Sequence, residues 1–187
     1  IMLYYNIIYR FPFPGFSPMQ QAVQTMTFMD SGHDHSHCLN EALVRAAALC
    51  TKRGVRLTPL RRRVLELVWG GHRPLGAYDI LDTLKAERRG AAPPTVYRAL
   101  DFLLAHGLVH RIESQNSFVG CPDPDKPHGG QFLICRTCGM AAELNDSGVD
   151  QAIRKSAKKA GFSVGRPIIE IQGFCPHCQD NVEEEGE

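Results

Sequence analysis

Four cysteines in two Cys-x-x-Cys pairs have the spacing of ligands to one tetrahedral metal ion. The pairs are Cys135-Arg-Thr-Cys138 and Cys175-Pro-His-Cys178. Each pair fits a tight turn, because Gly139 follows the first and Pro176 lies within the second. Two such turns can close around one Zn²⁺, and four thiolates leave no open coordination position. The sequence therefore predicts a structural zinc site.

Two disulfides, or two redox-active Cys-x-x-Cys motifs, are the alternative interpretations of these pairs. The chain contains 7 cysteines, an odd number, and its first residues lack the basic start and cleavage site of an export signal. Both observations argue against a disulfide framework. Two turns of the zinc-ribbon type argue against redox chemistry, so zinc is the favoured interpretation.

Charge divides the chain into a basic part and an acidic part. The formal net charge is +1, but residues 40–113 carry thirteen Lys and Arg against seven Asp and Glu, a net charge of +6. Residues 114–187 have a net charge of −4, and residues 1–39 have −1. A basic segment indicates contact with a polyanion such as nucleic acid, the alternative being an ordinary solvated surface.

Hydrophobic periodicity and turn residues predict four helices and a hairpin in the basic segment. Thr58-Pro59 provides an N-cap and a first-turn proline, and Gly107 is a typical C-cap. Helices followed by a hairpin predict a winged helix-turn-helix, whose last helix enters the major groove of DNA. The predicted helices run from Glu41 to Arg53, Leu60 to Trp69, Ala77 to Arg88 and Val96 to His106, and the strands from Leu108 to Glu113 and Ser117 to Cys121.

The acidic part is predicted to form strands around one helix. Ser147-Gly-Val-Asp150 has the pattern of a capping box that opens the helix, and Gly161 closes it after about Ala160. The apolar run Pro167-Ile-Ile-Glu-Ile171 would suit a sheet that continues across a two-fold axis, or equally an edge strand of a monomer. The predicted strands run from Gln131 to Cys135, Met140 to Leu144 and Phe162 to Ile171.

Several motifs together resemble the ferric uptake regulator family, and within it the zinc-responsive members. They are Arg56-Leu-Thr-Pro59, Ala77-Tyr-Asp79, Pro93-Pro-Thr-Val-Tyr-Arg-Ala-Leu100, Leu108-Val-His-Arg111 and the two cysteine pairs. The resemblance extends from about Asn40 to Cys178. It implies an α+β protein, with an N-terminal winged helix-turn-helix DNA-binding domain and a C-terminal α/β dimerisation domain that holds the four-cysteine zinc site.

This organisation predicts five segments. An N-terminal extension with a His-rich tail occupies residues 1–39 and is expected to be disordered. The DNA-binding domain follows over residues 40–120, a hinge over 121–130, the dimerisation domain over 131–180 and an acidic tail over 181–187. The tail motif His33-Asp-His35-Ser-His37-Cys38 could hold metal, but adventitious affinity is the simpler interpretation. Residues 1–18 are too short and too interrupted to cross a membrane.

The resemblance also implies a second, regulatory zinc site formed by His110, Cys121, His128 and Glu143. Taken alone, each of these residues has an ordinary structural explanation, a surface His or Glu or a small buried Cys. Together, two imidazoles, one thiolate and one carboxylate form a neutral set with Zn²⁺. The thiolate favours zinc over manganese or iron(II).

Contacts with DNA are predicted on the fourth helix and its neighbours. Arg98 lies in the first turns, where a guanidinium can bind guanine O6 and N7 in bidentate fashion. Tyr97 and Tyr78 are candidates for phosphate contacts, together with Thr95 and Arg61. For each arginine, a solvated surface position is the alternative.

The prediction is a zinc-responsive transcriptional repressor in the cytoplasm, not an enzyme. It acts as a homodimer on an AT-rich inverted repeat, with two zinc ions per subunit. An iron- or peroxide-responsive relative is one alternative, but such members carry a histidine-rich run before the first cysteine pair, where this chain has only His128-Gly-Gly130. A zinc-dependent hydrolase of the deaminase type is another. It needs His-x-Glu and a later Pro-Cys-x-x-Cys, and neither cysteine pair follows a proline.

Overall fold

The computed structural model describes Phe28 and residues 35–71, 73–87, 91–125 and 130–179. His33, His128 and the predicted acidic tail lie outside these residues. The helices are α1 (His35–Lys52), α2 (Pro59–Val68), α3 (Ala77–Glu87), α4 (Pro93–Ala105), α5 (Ser147–Lys159) and α6 (Pro176–Gln179). The strands are β1 (Leu75–Gly76), β2 (Val109–Ile112), β3 (Ser117–Gly120), β4 (Gly130–Cys135), β5 (Ala141–Glu143) and β6 (Ile168–Gly173).

The N-terminal half is built on a core shared by α1 to α4. Each helix buries one apolar stripe, represented by Leu43, Leu65, Ile80 and Leu100. Helix α2 begins as predicted, since the Thr58 side chain accepts a hydrogen bond from the backbone N–H of Arg61 at 3.4 Å and Pro59 is its first residue. The four predicted helices are therefore present, with ends that differ by a few residues.

Helix α1 begins earlier than the sequence predicts. It begins at His35 rather than at Glu41, so residues 35–39, which were predicted to belong to a disordered extension, continue the helix. The first turn, His-Ser-His-Cys, has no acidic residue and no apolar position before Cys38, so hydrophobic periodicity does not extend to this start, although Asp34 just before it is of a type favoured at an N-cap. The predicted start of α1 is therefore wrong by about six residues.

The wing is a sheet of three strands in the order β1-β3-β2. Strands β2 and β3 form the predicted antiparallel hairpin, with His110 opposite Val119 and Ile112 opposite Ser117. Strand β1 was not predicted. It consists of only two residues, Leu75 and Gly76, too few to produce a detectable alternation of apolar and polar residues.

The C-terminal half is a sheet of three strands in the order β5-β4-β6. Strand β4 lies in the centre, antiparallel to β5 and parallel to β6, and helix α5 provides the crossover that a parallel pair requires. The predicted capping box, which has Ser147 as the N-cap of α5, is wrong. Asp146 is the N-cap of α5 and accepts a hydrogen bond from the N–H of Gly148 at 2.7 Å. Strand β6 begins at Ile168, six residues later than predicted.

The wing packs directly on the C-terminal sheet. Ile112 of β2 is fully buried with Phe132 and Ile134 of β4, so an apolar cluster joins the two halves. The molecule has the α+β architecture that the sequence predicts. Among the helices that the structure describes, none combines the length and the apolar character needed to cross a membrane.

Candidate metal centres and DNA-contacting helix

The four predicted structural ligands lie together at one end of the C-terminal sheet. The Sγ atoms of Cys135, Cys138, Cys175 and Cys178 all lie within 4.8 Å of one another. Those of Cys138 and Cys175 are 3.7 Å apart. A tetrahedral zinc with Zn–S bonds of about 2.3 Å requires Sγ–Sγ distances of about 3.8 Å, so the cluster fits zinc.

Two turns present these thiols. Gly139 has φ +72° and donates its N–H to the carbonyl of Cys135 at 3.0 Å, a left-handed conformation that favours glycine. In the second turn, the N–H of Cys178 donates to the carbonyl of Cys175 at 2.9 Å. His177, between the two cysteines, is exposed and does not belong to the cluster.

Within the cluster, the pKa of Cys135 is lowered and that of Cys178 is raised. Burial works against ionisation of Cys135, but backbone N–H groups of Cys138, Cys175 and Thr137 hold its pKa at about 6. Hydrogen bonding with the Cys175 thiol, together with burial, raises the pKa of Cys178 to about 12. Four thiolates cannot share so small a volume without a compensating cation, which is the charge that a divalent metal provides.

Three of the four predicted regulatory ligands meet between the two halves. Metal-binding atoms of His110, Cys121 and Glu143 lie within 4.8 Å of one another, and the three residues are only 3%, 4% and 5% exposed. His110 Nε2 is 3.5 Å from Glu143 Oε1, close to the roughly 3.4 Å edge of a tetrahedron with metal–ligand bonds near 2.1 Å. His128 lies outside the described residues.

Each ligand of this mixed cluster (His110, Cys121 and Glu143) comes from a different element. His110 is on β2, Cys121 follows β3, and Glu143 ends β5. The N–H of Cys121 donates to the carbonyl of Leu108 at 3.1 Å. The preceding residue is Gly120, where a Cβ would lie 2.1 Å from the Trp69 ring. A glycine is therefore required for the strand to pass under the tryptophan and deliver Cys121 to the cluster.

Burial and a neighbouring carboxylate both oppose ionisation of the Cys121 thiol in the mixed cluster. Burial, and then the negative charge of Glu143, raise the pKa of Cys121 to about 12. Burying acidic groups side by side is costly unless a cation compensates them. Zinc suits this set, because it accepts thiolate, imidazole and carboxylate ligands in tetrahedral geometry.

Helix α4 exposes the residues that were predicted to contact DNA. Its buried face carries Val96, Ala99, Leu100 and Leu103. Tyr97 and Arg98 lie on the opposite, exposed side, and Tyr78 at the start of α3 is 68% exposed. Arg98 Nε donates to the carbonyl of Pro94 at 3.1 Å, which directs the side chain along the first turn of the helix. Thr95 is half-buried.

The arginines of α2 are more constrained than the sequence suggests. The guanidinium of Arg61 lies 3.6 Å above the centre of the Phe102 ring, and its Nη1 donates to the carbonyl of Arg56 at 2.7 Å. Arg62 pairs with Glu66 at 3.0 Å, and Arg63 pairs with Glu66 and Glu87. Packing against α4 and internal ion pairs thus hold all three side chains near the protein surface.

Two sets of contacts that join parts of the chain were missed from the sequence. Glu170 of β6 accepts hydrogen bonds from the backbone N–H groups of Glu113 and Ser114, in the turn between β2 and β3 (the wing turn). From α1, Arg45 donates to the carbonyl of Pro122, and Arg53 donates to the carbonyls of His106 and Pro124. The only available signal was a single carboxylate within the apolar run of β6, and nothing in the sequence of α1 identified its partners.

The sequence model of the ferric uptake regulator family matches residues 52–172. The zinc uptake regulation protein of Escherichia coli K12 is 44% identical over 139 residues, which cover 74% of this chain and 81% of that protein. The peroxide operon regulator of Bacillus subtilis is 30% identical over 148 residues, covering 76% and 94%.

Among solved structures, a zinc uptake regulator complexed with zinc and DNA has a TM-score of 0.73 and 43% sequence identity. The match covers 78% of this chain and 97% of that chain. A crystal structure of holo XcZur has a TM-score of 0.69 and 42% identity, covering 75% and 99%. Both matches span the two halves of the fold described above.

Proposed function

The chain belongs to the ferric uptake regulator family, and from this we propose that it is a zinc-responsive transcriptional repressor that binds operator DNA of zinc-uptake genes. The observation that carries the proposal is the mixed cluster. His110 and Cys121 come from the wing and the hinge, whereas Glu143 comes from the C-terminal sheet. A metal that binds here is sensed by both halves at once.

We assign two zinc ions to each subunit. The four-cysteine cluster holds the structural ion within the C-terminal half. The mixed cluster, with His128 as its fourth ligand, holds the regulatory ion, whose positive charge beside Cys121 favours the thiolate. The similarity to a zinc uptake regulation protein and the thiolate in the ligand set both support zinc at this second site.

The regulatory residues control the orientation of the DNA-binding half. When His110 and Glu143 are held at one point, β2 cannot pivot on the C-terminal sheet, and α4 keeps a fixed position relative to the dimer axis. When they are not, the halves are joined by the remaining apolar and polar contacts, and fewer molecules have the spacing that two half-sites require. By linkage, operator DNA then raises the affinity for zinc.

DNA is contacted by the exposed side of α4 and its neighbours. Arg98 reads a guanine in the major groove, and Tyr97, Thr95 and Tyr78 bind phosphates at the edge of the groove. Arg61 contributes to the positive field near the helix, oriented by its stacking on Phe102. Because lysine and arginine contacts displace counterions, binding weakens steeply as the salt concentration rises.

We infer that the repressor is a homodimer on an AT-rich inverted repeat. Strand β6 is at the edge of its sheet and exposes Ile168 and Ile171 by 50% and 45%, with Phe174 nearby at 44%. A second copy of this edge would extend the sheet and cover these side chains. One winged-helix domain contacts too little DNA for tight repression. This also favours a dimer, which has two such domains. A repressor of this kind acts in the cytoplasm, where the DNA is.

The peroxide- or iron-responsive alternative shares the fold and the DNA-binding mode but differs in its effector. It is a real competitor, because a peroxide operon regulator is 30% identical to this chain. The donor set separates the two, since iron(II) sites prefer imidazole and carboxylate over thiolate. A zinc hydrolase is not favoured, because the chain belongs to a family of regulators.

The test is to titrate metal-depleted protein with zinc, iron(II) and manganese while measuring its affinity for an AT-rich inverted repeat. We expect zinc alone to increase the affinity, by the 5- to 150-fold that is typical of roughly 1–3 kcal/mol of coupling. The four-cysteine site is loaded first in every sample, so that only the second equivalent is varied. Equal activation by iron(II), or no gain with zinc, would contradict the proposal.

A further inference from the structure

Three side chains form one row across the C-terminal sheet. The strand register places Phe132 of β4 opposite Glu143 of β5 and also opposite Glu170 of β6. Residues that lie opposite one another in neighbouring strands project to the same face of a sheet. The row Glu143–Phe132–Glu170 therefore presents two carboxylates, one on each side of a buried aromatic ring, to whatever packs on this face.

The wing packs on this face, and it contacts the row in order. His110 lies 3.5 Å from Glu143 and has its ring 5.4 Å from that of Phe132. Ile112 packs against Phe132. The turn that follows β2 then reaches Glu170, which accepts the N–H of Glu113 at 2.6 Å and the N–H of Ser114 at 3.1 Å. Strand β2 thus crosses the three strands of the sheet.

The contact at Glu170 uses both carboxylate oxygens. Oε1 accepts from Glu113 and Oε2 from Ser114, so two consecutive backbone donors of the wing turn are satisfied by one anion. Partial burial opposes ionisation of Glu170, but the hydroxyl and N–H of Ser114 and the N–H of Glu113 keep its pKa below the ordinary value. The carboxylate is therefore charged at neutral pH, and the two hydrogen bonds are of the stronger, charge-assisted kind.

We propose that Glu170 is a positioning residue for DNA binding, which holds the wing turn against the same sheet row that carries the regulatory ligand Glu143. The inference rests on the proposed function. Without Glu170, the hairpin is held by His110 and by the apolar packing of Ile112 on Phe132, and apolar packing is non-directional. The two hydrogen bonds at Glu113 and Ser114 also fix the end of β2 and so the direction of the hairpin. Glu170 thus makes the position of the wing, and of α4 beside it, follow the regulatory site.

Replacing Glu170 by Gln tests the proposal, because it removes the charge and places an amide NH₂ near a backbone donor. We expect the zinc-loaded variant to bind the operator roughly tenfold more weakly, the effect of losing one charge-assisted hydrogen bond. The sign is diagnostic. Removing a negative charge from a DNA-binding protein should by itself strengthen binding. Asp150→Asn is the matched control, since Asp150 lies on α5 and pairs only with Arg154 among the ion pairs described.

A second measurement reports on the contact itself. Amide hydrogen exchange at Glu113 and Ser114 should be slow in the zinc-loaded wild type and roughly tenfold faster in Glu170→Gln. The zinc content, by metal analysis, and the dimer, by sedimentation, should be unchanged. Unchanged operator affinity together with unchanged exchange would overturn the inference. So would stronger operator binding that matches Asp150→Asn.

Glu170→Asp covers the case in which Glu170→Gln does not form a dimer. It keeps the charge but is shorter by one methylene, so it cannot reach both donors, and we expect the same two changes with smaller size. If it behaves as the wild type does in both measurements, the inference fails. A wild-type protein that does not respond to zinc contradicts the proposed function instead, whatever the variants do.

Discussion

The four-cysteine cluster and the mixed cluster hold metal ligands at similar spacings but are assembled in different ways. The four cysteines come from two turns of the C-terminal half, and their thiols meet wherever β4 and β6 pair. The mixed cluster exists only when the wing, the hinge and β5 are all in place. Formation of the four-cysteine cluster therefore depends only on the folding of the C-terminal half. Formation of the mixed cluster also depends on how the two halves are arranged.

This difference explains why one site can be structural and the other regulatory. A closed set of four thiolates binds zinc with a large share of the folding free energy of a small domain. We propose that the mixed set gives up part of its binding free energy to hold the wing, the hinge and β5 together, so that its occupancy depends on the conformation. In this proposal, position in the fold separates the two roles more than the number of ligands does.

The largest effect should follow from breaking the four-cysteine cluster. Cys175 is fully buried, and Cys175→Ser removes a ligand from a site whose zinc contributes on the order of 10 kcal/mol to folding. We expect loss of this zinc, of the dimer and of the C-terminal fold, measured by metal analysis, sedimentation and circular dichroism. Cys50→Ala, in the N-terminal core, is the control and should cost only about 1 kcal/mol. A folded dimeric Cys175→Ser protein would show that the cluster is not structural.

The second effect concerns the mixed cluster and should leave the fold intact. Cys121→Ser keeps the size of the side chain but replaces a thiolate ligand by a poor one. We expect a folded dimer with one zinc per subunit, in which added zinc no longer produces the 5- to 150-fold gain in operator affinity. Metal analysis and a binding titration measure both properties. Unfolding of this variant would instead place Cys121 in the structural core, and the comparison between the clusters would fail.

The same difference decides what the sequence could predict. Cys-x-x-Cys pairs are local, so the sequence alone indicates their turns and their chemistry, and the left-handed Gly139 agrees with that expectation. His110, Cys121 and Glu143 carry no local pattern. They were identified only through the resemblance to a family, and the structure brings these three together. The place of His128 stays a prediction.

Contacts between elements were beyond the reach of local patterns for the same reason. The bond from Glu170 to the wing turn joins residues 57 positions apart, and the contact of Arg45 with the hinge spans 77 positions. Helix periodicity and caps fix each element, but they do not specify which elements meet. The late start predicted for α1 and the missed strand β1 have a local cause instead, since the first turn of α1 is largely polar and β1 is too short to show a periodic pattern.

The smallest effect concerns α4, the helix proposed to enter the major groove, which lies outside both clusters. Arg98→Lys keeps the positive charge but loses the planar fork with which we propose that Arg98 binds guanine. It should therefore lower discrimination between the operator and a scrambled duplex by about 1 kcal/mol, the low end of the range for a bidentate contact. Because the charge is retained, the dependence of binding on salt should not change.

Competition binding at two salt concentrations measures both quantities, with Arg154→Lys on α5 as the charge-matched control. Both zinc ions should bind as in the wild type, and zinc should increase operator affinity by the same factor, since the proposed role of the mixed cluster is to position α4 and not to contact bases. If Arg98→Lys changed the response to zinc, base recognition by α4 and zinc binding at the mixed cluster would not be separate functions. The proposed division between a four-cysteine cluster that stabilises the fold and a mixed cluster that sets the arrangement of its halves would then have to include α4.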